Sequence, residues 1–332
     1  MSEQINIALA FRIDEESIAR IKGLDARIRI IDVSQISGRG GEPDAETKAR
    51  IIAEIANAEI MFGPNRIPIE YFDAAIRLKW FQSINAGIER MDRDGLLKRG
   101  FVVTSAAGLA SVAIAEYVMG TIVMLAKGLH TAVRAQGEHR WDFRMTGEVA
   151  GKTVGIAGLG EIGRETAKRA RAFEMRVLAS RRTVASGAID PDCDELVPYS
   201  NLGRLFSESD FLVLAVPLTA ETRHLVGAAE MAKMKPTASI INIARGEIID
   251  QAALVKALTT GVIASAALDV FDPEPLPAES PLWDMPNVIV TPHISGAVEG
   301  YGHKATDLFV ANLKRYLAGE ALAHEANPEL GY

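Results

Sequence analysis

A glycine-rich hexapeptide between an apolar run and a helical pattern constrains the fold of this chain more than any other feature. The hexapeptide is GLGEIG at residues 158–163, and it directly follows the apolar run 153–157. Gly158 permits a tight turn, Gly160 lets the backbone approach a pyrophosphate, and Gly163 lets helix and strand pack closely. The start of the next helix offers unpaired N–H groups to phosphates. The pattern favours a dinucleotide-binding unit, and the alternative is a glycine turn in an ordinary α/β unit.

The rest of the chain alternates between apolar runs and helical patterns, in two series. Strands are predicted at 5–10, 27–31, 59–62, 79–84 and 101–104, and then at 153–157, 175–180, 211–216, 239–243, 264–269 and 287–291. Helices are predicted at 15–22, 45–57, 68–75 and 92–98, and then at 161–173, 201–208, 228–234 and 251–260. This alternation predicts parallel sheets covered by helices on both faces. A last helix, 301–318, has no following strand, and we expect it to pack on the first domain.

Composition excludes several functional classes. The 332 residues suffice for two ordinary domains, and a net charge of −7 is unfavourable for nucleic-acid binding. Cys193 is the only cysteine, so no internal disulfide can form and a reducing compartment is favoured. The histidines outside the site described below lack metal-ligand spacing, and no metal site is predicted. Because the first residues lack the basic segment of an export signal, a cytoplasmic location is predicted.

One apolar stretch, 109–126, has nearly the length of a membrane-spanning helix. Glu116 lies near its middle, and a charge at bilayer depth costs at least about 2.5 kcal/mol. We therefore interpret the stretch as a helix buried between domains or at a subunit contact, and predict no membrane partner. The polar segment 130–151 that follows contains Trp141 and Phe143, and we interpret it as a domain boundary or an oligomer arm.

The end of the second strand of the glycine-rich unit bears on the cofactor. Chains that bind NAD usually carry a carboxylate there, which accepts a hydrogen bond from the ribose 2′-hydroxyl. This chain instead has Ser180, Arg181, Arg182 and Thr183. Two guanidinium groups and two hydroxyls suit a 2′-phosphate, so NADP(H) is the preferred cofactor and NAD(H) is the alternative. In the opposing interpretation both arginines only solvate a loop.

Three polar residues follow predicted strands of the second series. Arg245 comes after the strand 239–243, Glu274 lies in the loop after 264–269, and His293 follows 287–291. In an α/β sheet, ligands bind at the carboxyl ends of the strands. A cation for a carboxylate, a proton donor for a carbonyl oxygen and a carboxylate that orients the donor suit the reduction of a 2-oxo acid.

These segments resemble the D-isomer-specific 2-hydroxyacid dehydrogenases over essentially the whole chain. The matching segments, in the family's order and spacing, are SINAGIE at 83–89, AEY at 115–117, GLGEIG at 158–163, NIARGEIID at 242–250, ALDVFDPEPLP at 267–277 and TPHISG at 291–296. The resemblance implies an α/β fold of two doubly wound parallel-sheet domains, with a Rossmann cofactor domain inserted into a flavodoxin-like substrate domain. The substrate domain would comprise residues 1–103 and 296–332, and the dinucleotide-binding domain residues 104–295. The region 109–150 would form a homodimer.

The resemblance also implies roles for single residues. Arg245 would bind the substrate carboxylate and carbonyl, His293 would be the acid/base, and Glu274 would hydrogen-bond His293 and raise its pKa. Asp269 would hold the nicotinamide carboxamide. The predicted substrate-binding residues are Ile84, Asn85, Ala86 and Gly87, together with Arg245 and His293. The predicted cofactor-binding residues are Gly158, Gly160, Glu161, Ile162, Gly163, Ser180, Arg181, Arg182, Thr183, Val216, Pro217, Thr222, Ile243, Ala244, Asp269 and Ser295.

Within the family, the chain resembles the NADP-dependent glyoxylate/hydroxypyruvate reductases. We therefore predict NADPH-dependent reduction of a small 2-oxo acid to the D-2-hydroxy acid, with His293 as general acid. Trp283, in the segment SPLW at 280–283, is a further point of resemblance to this branch, although packing under its loop explains the tryptophan equally well. The alternative function is a dinucleotide-sensing scaffold similar to the corepressors built on this fold.

One residue departs from the family pattern in the predicted substrate loop. Asn85 stands where a glycine is often found. Because Asn tolerates a positive φ better than most residues, we expect the turn to be preserved.

Overall fold

The computed structural model describes residues 4–37, 43–184 and 188–331, and the statements and counts that follow refer to these ranges. The chain divides into two compact units. Unit 1 comprises Met1–Leu109 and Glu299–Tyr332, and unit 2 comprises Ala110–Val298. Unit 2 is therefore inserted into the sequence of unit 1.

The regular elements follow one another in the alternating order that the sequence predicts. The strands are β1 (Ile5–Leu9), β2 (Ile28–Asp32), β3 (Ile60–Gly63), β4 (Trp80–Ser83), β5 (Val102–Thr104), β6 (Thr153–Ala157), β7 (Arg176–Arg181), β8 (Glu195–Pro198), β9 (Phe211–Leu214), β10 (Ser239–Asn242), β11 (Ser265–Leu268) and β12 (Val288–Val290). The helices are α1 (Glu15–Lys22), α2 (Ala45–Ile55), α3 (Ile69–Ala74), α4 (Glu89–Arg93), α5 (Ser111–Ala126), α6 (Leu129–Gly137), α7 (Glu161–Ala172), α8 (Leu202–Glu208), α9 (Ala228–Met231), α10 (Gln251–Thr260) and α11 (Tyr301–Ala318).

Each unit contains one parallel sheet in its described residues. The sheet of unit 1 has the order β2-β1-β3-β4-β5, which is the flavodoxin-like order. The sheet of unit 2 has the order β12-β11-β10-β9-β6-β7-β8, which extends the Rossmann order by one strand. The α/β prediction with two doubly wound sheets is confirmed. In unit 2 the strand order reverses between β6 and β9, and ligands bind at such a reversal in open α/β sheets.

Burial in the cores explains why the strand sequences are continuous apolar runs. Residues of β6, β9, β10 and β11 are buried on both faces, as expected for a parallel sheet covered by helices. In unit 2, α5 contributes Val118, Met119 and Ile122 to the core that contains β6. In unit 1, Phe309 of α11 stacks on Phe62 with ring centroids 4.2 Å apart, and on Trp80 at 5.2 Å. The prediction that the last helix packs on the first domain is confirmed.

Three elements differ from the predictions. The strand β8 has only two buried residues and ends at Pro198 on the sheet edge, so its sequence lacks an apolar run. The segment 130–151, interpreted as a domain boundary or an oligomer arm, begins within a helix for which no prediction was made, α6. Arg134 of that helix donates to the carbonyls of Met285 and Val288. The predicted helix 92–98 is instead the end of α4 followed by a short 3-10 turn, since Gly95 adopts a positive φ between them.

Among the described residues, no single helix is both long and apolar enough to cross a membrane, while the pair α5 and α6, bent by 70°, meets the criterion by length and composition only.

Candidate active site

The glycine-rich turn between β6 and α7 has backbone geometry that only glycine allows. Gly158 has a φ of +105°, and a Cβ there would lie 2.4 Å from the carbonyl oxygen of Ala215. A Cβ at Gly163 would lie 2.1 Å from the carbonyl oxygen of Gly158, so a side chain would push helix and turn apart. A Cβ at Gly160 would meet nothing within 4 Å. The turn is therefore tight on two sides and open at Gly160, which fits the close approach of a pyrophosphate.

The start of α7 is free of side-chain capping. Gly160 is the residue before the helix, and no side chain accepts from the first N–H groups. Those groups carry the partial positive charge of the helix end and suit phosphate oxygens. Two N–H groups of the turn are already used, since Gly158 and Leu159 donate to the carbonyl of Ser180 at 3.0 and 2.8 Å. These bonds fix the end of β7 beside the turn.

The predicted 2′-phosphate residues divide by exposure at the end of β7. Ser180 is buried inside the sheet, whereas Arg181, Arg182 and Thr183 are exposed. Because Ser180 is buried, its hydroxyl is not presented at the surface. Only the two guanidinium groups and one hydroxyl are thus presented to solvent.

A buried carboxylate beside Arg181 was not predicted. Asp190 has only 6% of its surface exposed, and Arg164 of α7 binds both of its oxygens at 2.9 Å. Arg164 also contacts Asp192, while Arg181 stands 3.7 Å from Asp190. The hydrogen bonds from Arg164 hold the pKa of Asp190 below its usual range. Sequence reasoning missed this cluster because Arg164 and Asp190 are 26 positions apart and belong to no motif.

The loop after β10 brings Arg245 to the carboxyl edge of the sheet. The side chain of Asn242 accepts from the Ala244 N–H at 3.1 Å and donates to the Arg245 carbonyl at 2.9 Å. The Arg245 guanidinium donates to the Ala244 carbonyl at 2.6 Å and is partly buried. A Cβ at Gly246 would lie 2.0 Å from the Phe271 backbone, so glycine lets this loop pack against the loop that carries Glu274.

His293 and Glu274 are hydrogen-bonded. The Nδ1 of His293 lies 2.9 Å from one carboxylate oxygen of Glu274, and the other oxygen accepts from the Phe271 N–H at 2.9 Å. The bond to Glu274 raises the pKa of His293 above 6.5, against the opposing effect of burial. Burial raises the pKa of Glu274, but the bonds from His293 and Phe271 outweigh it and leave the pKa lowered. Both shifts favour a charged imidazolium paired with a carboxylate.

His293 itself has a backbone conformation that needs support. Its φ is +55°, in the left-handed region that side chains rarely adopt, at a cost of about 1–3 kcal/mol. Its N–H donates to the carbonyls of Asp269 and Thr291 at 2.9 and 3.0 Å. The side chain of Asp269 accepts from Thr291 Oγ1 and from the N–H groups of Ile294 and Ser295, at 2.6 to 2.8 Å.

The remaining predicted cofactor residues lie on loops at the same edge of unit 2 and in the first turn of α7. Thr222 is buried, and its hydroxyl donates to the Pro217 carbonyl at 2.6 Å and accepts from the Thr219 N–H, so it shapes the loop after β9. Ile243 and Ala244 are buried directly after β10. Glu161 and Ile162 lie in the first turn of α7, and Val216 is half-buried beside Gly158.

The predicted substrate loop lies in unit 1, after β4. The side chain of Asn85 accepts from the Asn65 N–H at 3.0 Å, and the Asn65 amide group donates to the Gly87 carbonyl at 2.6 Å. Asn85 is not among the described residues with positive φ, so its loop does not depend on the tolerance of Asn for that conformation. Hydrogen bonds to Asn65 and to Ser83 Oγ hold the loop instead. Ile84 is fixed as well, because its carbonyl accepts from the Tyr301 hydroxyl at 2.7 Å. Ala86 is exposed next to these anchors.

Trp283 has a structural contact within its own loop. The Trp283 indole N–H donates to the Pro277 carbonyl at 2.9 Å, which secures its loop.

Throughout the described ranges, no three His, Cys, Asp or Glu side chains are grouped so as to hold a metal ion.

Comparisons with known proteins point to one family. Residues 119–295 match the family model described as the D-isomer specific 2-hydroxyacid dehydrogenase NAD binding domain. A glyoxylate reductase of Thermofilum pendens is 35% identical over 320 residues, which is 93% of this chain and 92% of that protein. A glyoxylate/hydroxypyruvate reductase B of Pectobacterium atrosepticum is 34% identical, covering 83% of this chain and 88% of the relative.

A solved structure agrees over the whole length. The D-isomer specific 2-hydroxyacid dehydrogenase of Xanthobacter autotrophicus Py2, in complex with NADPH and MES, is 28% identical with a TM-score of 0.83, and each chain is fully covered. Together with the glycine turn and the parallel sheets, these matches establish the family that the motifs indicated. The chain belongs to the D-isomer-specific 2-hydroxyacid dehydrogenase family and is an oxidoreductase that uses a nicotinamide dinucleotide.

Proposed function

We propose that this enzyme reduces a small 2-oxo acid to the D-2-hydroxy acid with NADPH, and that His293 is the general acid. The observation that carries the proposal is the 2.9 Å pair of His293 and Glu274 at the sheet edge that also bears Arg245. When bound, the reduced nicotinamide supplies a hydride to the carbonyl carbon. His293 gives its proton to the carbonyl oxygen and is left as a neutral imidazole.

The other proposed roles follow from the chemistry of each group. Arg245 binds the substrate carboxylate and polarises the carbonyl, because a planar guanidinium matches a carboxylate with two hydrogen bonds. Glu274 holds the imidazole in place and favours its protonated form. The backbone N–H groups of the loop Ile84–Gly87 suit a carboxylate, and the bonds from Asn65 support the shape of that loop.

The cofactor proposal is NADP(H) before NAD(H), with the phosphates on the turn at 158–163. Arg181 and Arg182 are exposed at the end of β7, where the adenosine ribose lies in Rossmann folds. Arg181 also forms an ion pair with Asp190 at 3.7 Å, but Arg164 is the main partner of that carboxylate, since it binds both oxygens at 2.9 Å. The contact of Asp269 with the nicotinamide carboxamide remains a prediction.

The substrate proposal is glyoxylate or hydroxypyruvate, because relatives of similar length carry those names. The relatives reported above are named as enzymes, and we find no described feature that favours the corepressor-like alternative. We further propose unit 1 as the substrate domain and unit 2 as the dinucleotide-binding domain, with a homodimer through the region 109–150. Exposed Trp141, Phe143 and Met145 support the homodimer, because soluble monomers rarely expose such a cluster.

The test is a steady-state assay of NADPH and NADH oxidation with glyoxylate, hydroxypyruvate, pyruvate and phenylpyruvate. Hydrogen bonds to charged groups contribute about 1.5–3 kcal/mol each, and solvent reduces this, so we expect roughly a 10–100-fold preference in kcat/KM for NADPH. Arg181→Asp removes a phosphate partner and adds an acceptor for a 2′-hydroxyl, so the ratio should shift toward NADH. Lys168→Glu makes the same change of charge on the exposed face of α7 and should leave the ratio unchanged.

Two results would count against the proposal. A wild-type ratio at or below one would reject NADP(H) preference and leave the dehydrogenase activity standing. The absence of turnover with all four acids and both cofactors would reject the reductase assignment.

A further inference from the structure

A chain of hydrogen bonds inside unit 2 connects α5 to the loop that carries His293. The Tyr117 hydroxyl of α5 lies 2.7 Å from Thr291 Oγ1, and Thr291 Oγ1 lies 2.6 Å from Asp269 Oδ1. Asp269 is fully buried at the end of β11. Its carboxylate also accepts from the N–H groups of Ile294 and Ser295, both at 2.8 Å.

The donor and acceptor in each hydrogen bond of this series follow from the number of hydroxyl protons. A threonine hydroxyl has one proton, and the proton of Thr291 goes to the Asp269 carboxylate. The Tyr117 hydroxyl must therefore donate to Thr291 Oγ1. Burial raises the pKa of Tyr117 to about 12, so the hydroxyl keeps its proton across the neutral range. The chain runs from Tyr117 through Thr291 to Asp269.

The residues that bond to the Asp269 carboxylate flank His293 in the sequence. Thr291 precedes it by two residues, and Ile294 and Ser295 follow it directly. His293 sits between these anchors with φ at +55° and a side chain about half exposed. An unfavoured conformation persists only where its surroundings hold it. Loss of the anchors would let residues 291–295 relax and carry the imidazole away from Glu274.

We propose that Tyr117 and Thr291 are positioning residues for the reduction, which act through Asp269 to hold the backbone on which His293 is presented. The main consequence of their loss is a lower kcat. The change in cofactor affinity should be the smaller effect, because the glycine turn proposed to hold the phosphates is not part of this chain of bonds, although Asp269 is also predicted to contact the nicotinamide. The proposal rests on the proposed role of His293.

The test compares Tyr117→Phe, Thr291→Val and Thr291→Ser with the wild type, using the full-length enzyme. Hydrogen–deuterium exchange of the amides at residues 293–295 is measured without ligands, and kcat, KM and the NADPH dissociation constant are measured alongside. Thr291→Val cuts both links and keeps the side-chain volume, so we expect roughly tenfold faster exchange and a roughly tenfold lower kcat. Tyr117→Phe should act in the same direction, about 2–5-fold. Thr291→Ser restores the hydroxyl and should behave like the wild type.

Tyr316→Phe is the matched control, since it removes a hydroxyl that lies 2.7 Å from Glu59 in unit 1. It should change neither exchange at 293–295 nor kcat. Wild-type exchange in Thr291→Val would overturn the proposal, and so would faster exchange with an unchanged kcat, or a loss of NADPH affinity as the main effect. If His293→Asn were fully active, the proposed function would fail instead, while the exchange result would still report on the loop.

Discussion

At the residue scale, one carboxylate sets the protonation of the proposed acid. Glu274 is itself held by the Phe271 N–H, so its second oxygen is directed at His293 Nδ1. The pKa of His293 is raised by this bond, and the pKa of Glu274 is lowered. Reduction needs protonated His293. The rate of reduction should therefore be full below the raised pKa and fall as pH increases through it.

Glu274→Gln should move that descending limb to lower pH. Glutamine accepts a hydrogen bond but carries no charge, so it no longer raises the pKa of His293. The profile of kcat for reduction between about pH 5 and 9 is the measurement, with Glu279→Gln as the control for an exposed carboxylate in the same loop. An unmoved limb in Glu274→Gln would show that Glu274 does not set the protonation of His293.

Arg245→Lys should raise KM for the 2-oxo acid and lower kcat together. Lysine keeps the charge but loses the planar pair of donors that would bind carboxylate and carbonyl. We expect kcat/KM to fall roughly 10–100-fold, which corresponds to about 1.5–3 kcal/mol for a bond to a charged group. Arg50→Lys on α2 is an exposed control. A change confined to cofactor affinity would show that Arg245 does not hold the substrate.

Sequence and structure differ in what they reveal about single residues. Arg245, Glu274 and His293 could be found from sequence because each follows a predicted strand, and strand ends of a parallel sheet share an edge. The contacts of Asp190 and Tyr117 could not be found in this way, because their partners Arg164 and Thr291 are 26 and 174 positions away. Such contacts depend on tertiary packing, which local patterns do not encode.

At the element scale, strong periodicity made most helices and strands predictable, and weak periodicity explains the exceptions. Strands that are buried on both faces of an α/β sheet have sequences that are continuous apolar runs. The edge strand β8 has only two buried residues and therefore no such run. The helix α6 begins after the left-handed Gly128 and exposes much of its surface, so its sequence lacks the apolar periodicity that predicts a packed helix. Its contacts with Met285 and Val288 are not visible in the sequence.

The irregular segment after α6 gives a prediction at this scale. Trp141 is 96% exposed and Phe143 is 80% exposed, which suits burial against a second copy. Light scattering should give twice the mass of the chain for the wild type and a lower mass for the double variant Trp141→Ser, Phe143→Ser. Ile76→Ser removes a similarly exposed apolar side chain from unit 1 and should leave the mass unchanged. A monomeric wild type would reject the homodimer.

At the scale of the whole molecule, the alternating pattern and the family motifs predicted two parallel-sheet units with one inserted into the other. The return of the last helix to unit 1 followed from the absence of a further strand, and Phe309 shows its physical basis by stacking on Phe62 and Trp80. The choice of 2-oxo acid could not be predicted in the same way. Side-chain preference depends on the shape of a pocket, and shape is set by packing rather than by motifs.

The central claim is that His293 delivers the proton in the reduction, and one substitution tests it most directly. His293→Asn keeps hydrogen bonding but removes the titrating group. Single-turnover oxidation of bound NADPH by glyoxylate or hydroxypyruvate should slow by roughly 10²–10⁴-fold, with the NADPH dissociation constant nearly unchanged. His303→Asn, which alters an exposed histidine 3.6 Å from Asp14, should react like the wild type. A His293→Asn enzyme that keeps more than about a third of the wild-type rate, where chemistry limits that rate, would contradict the assignment.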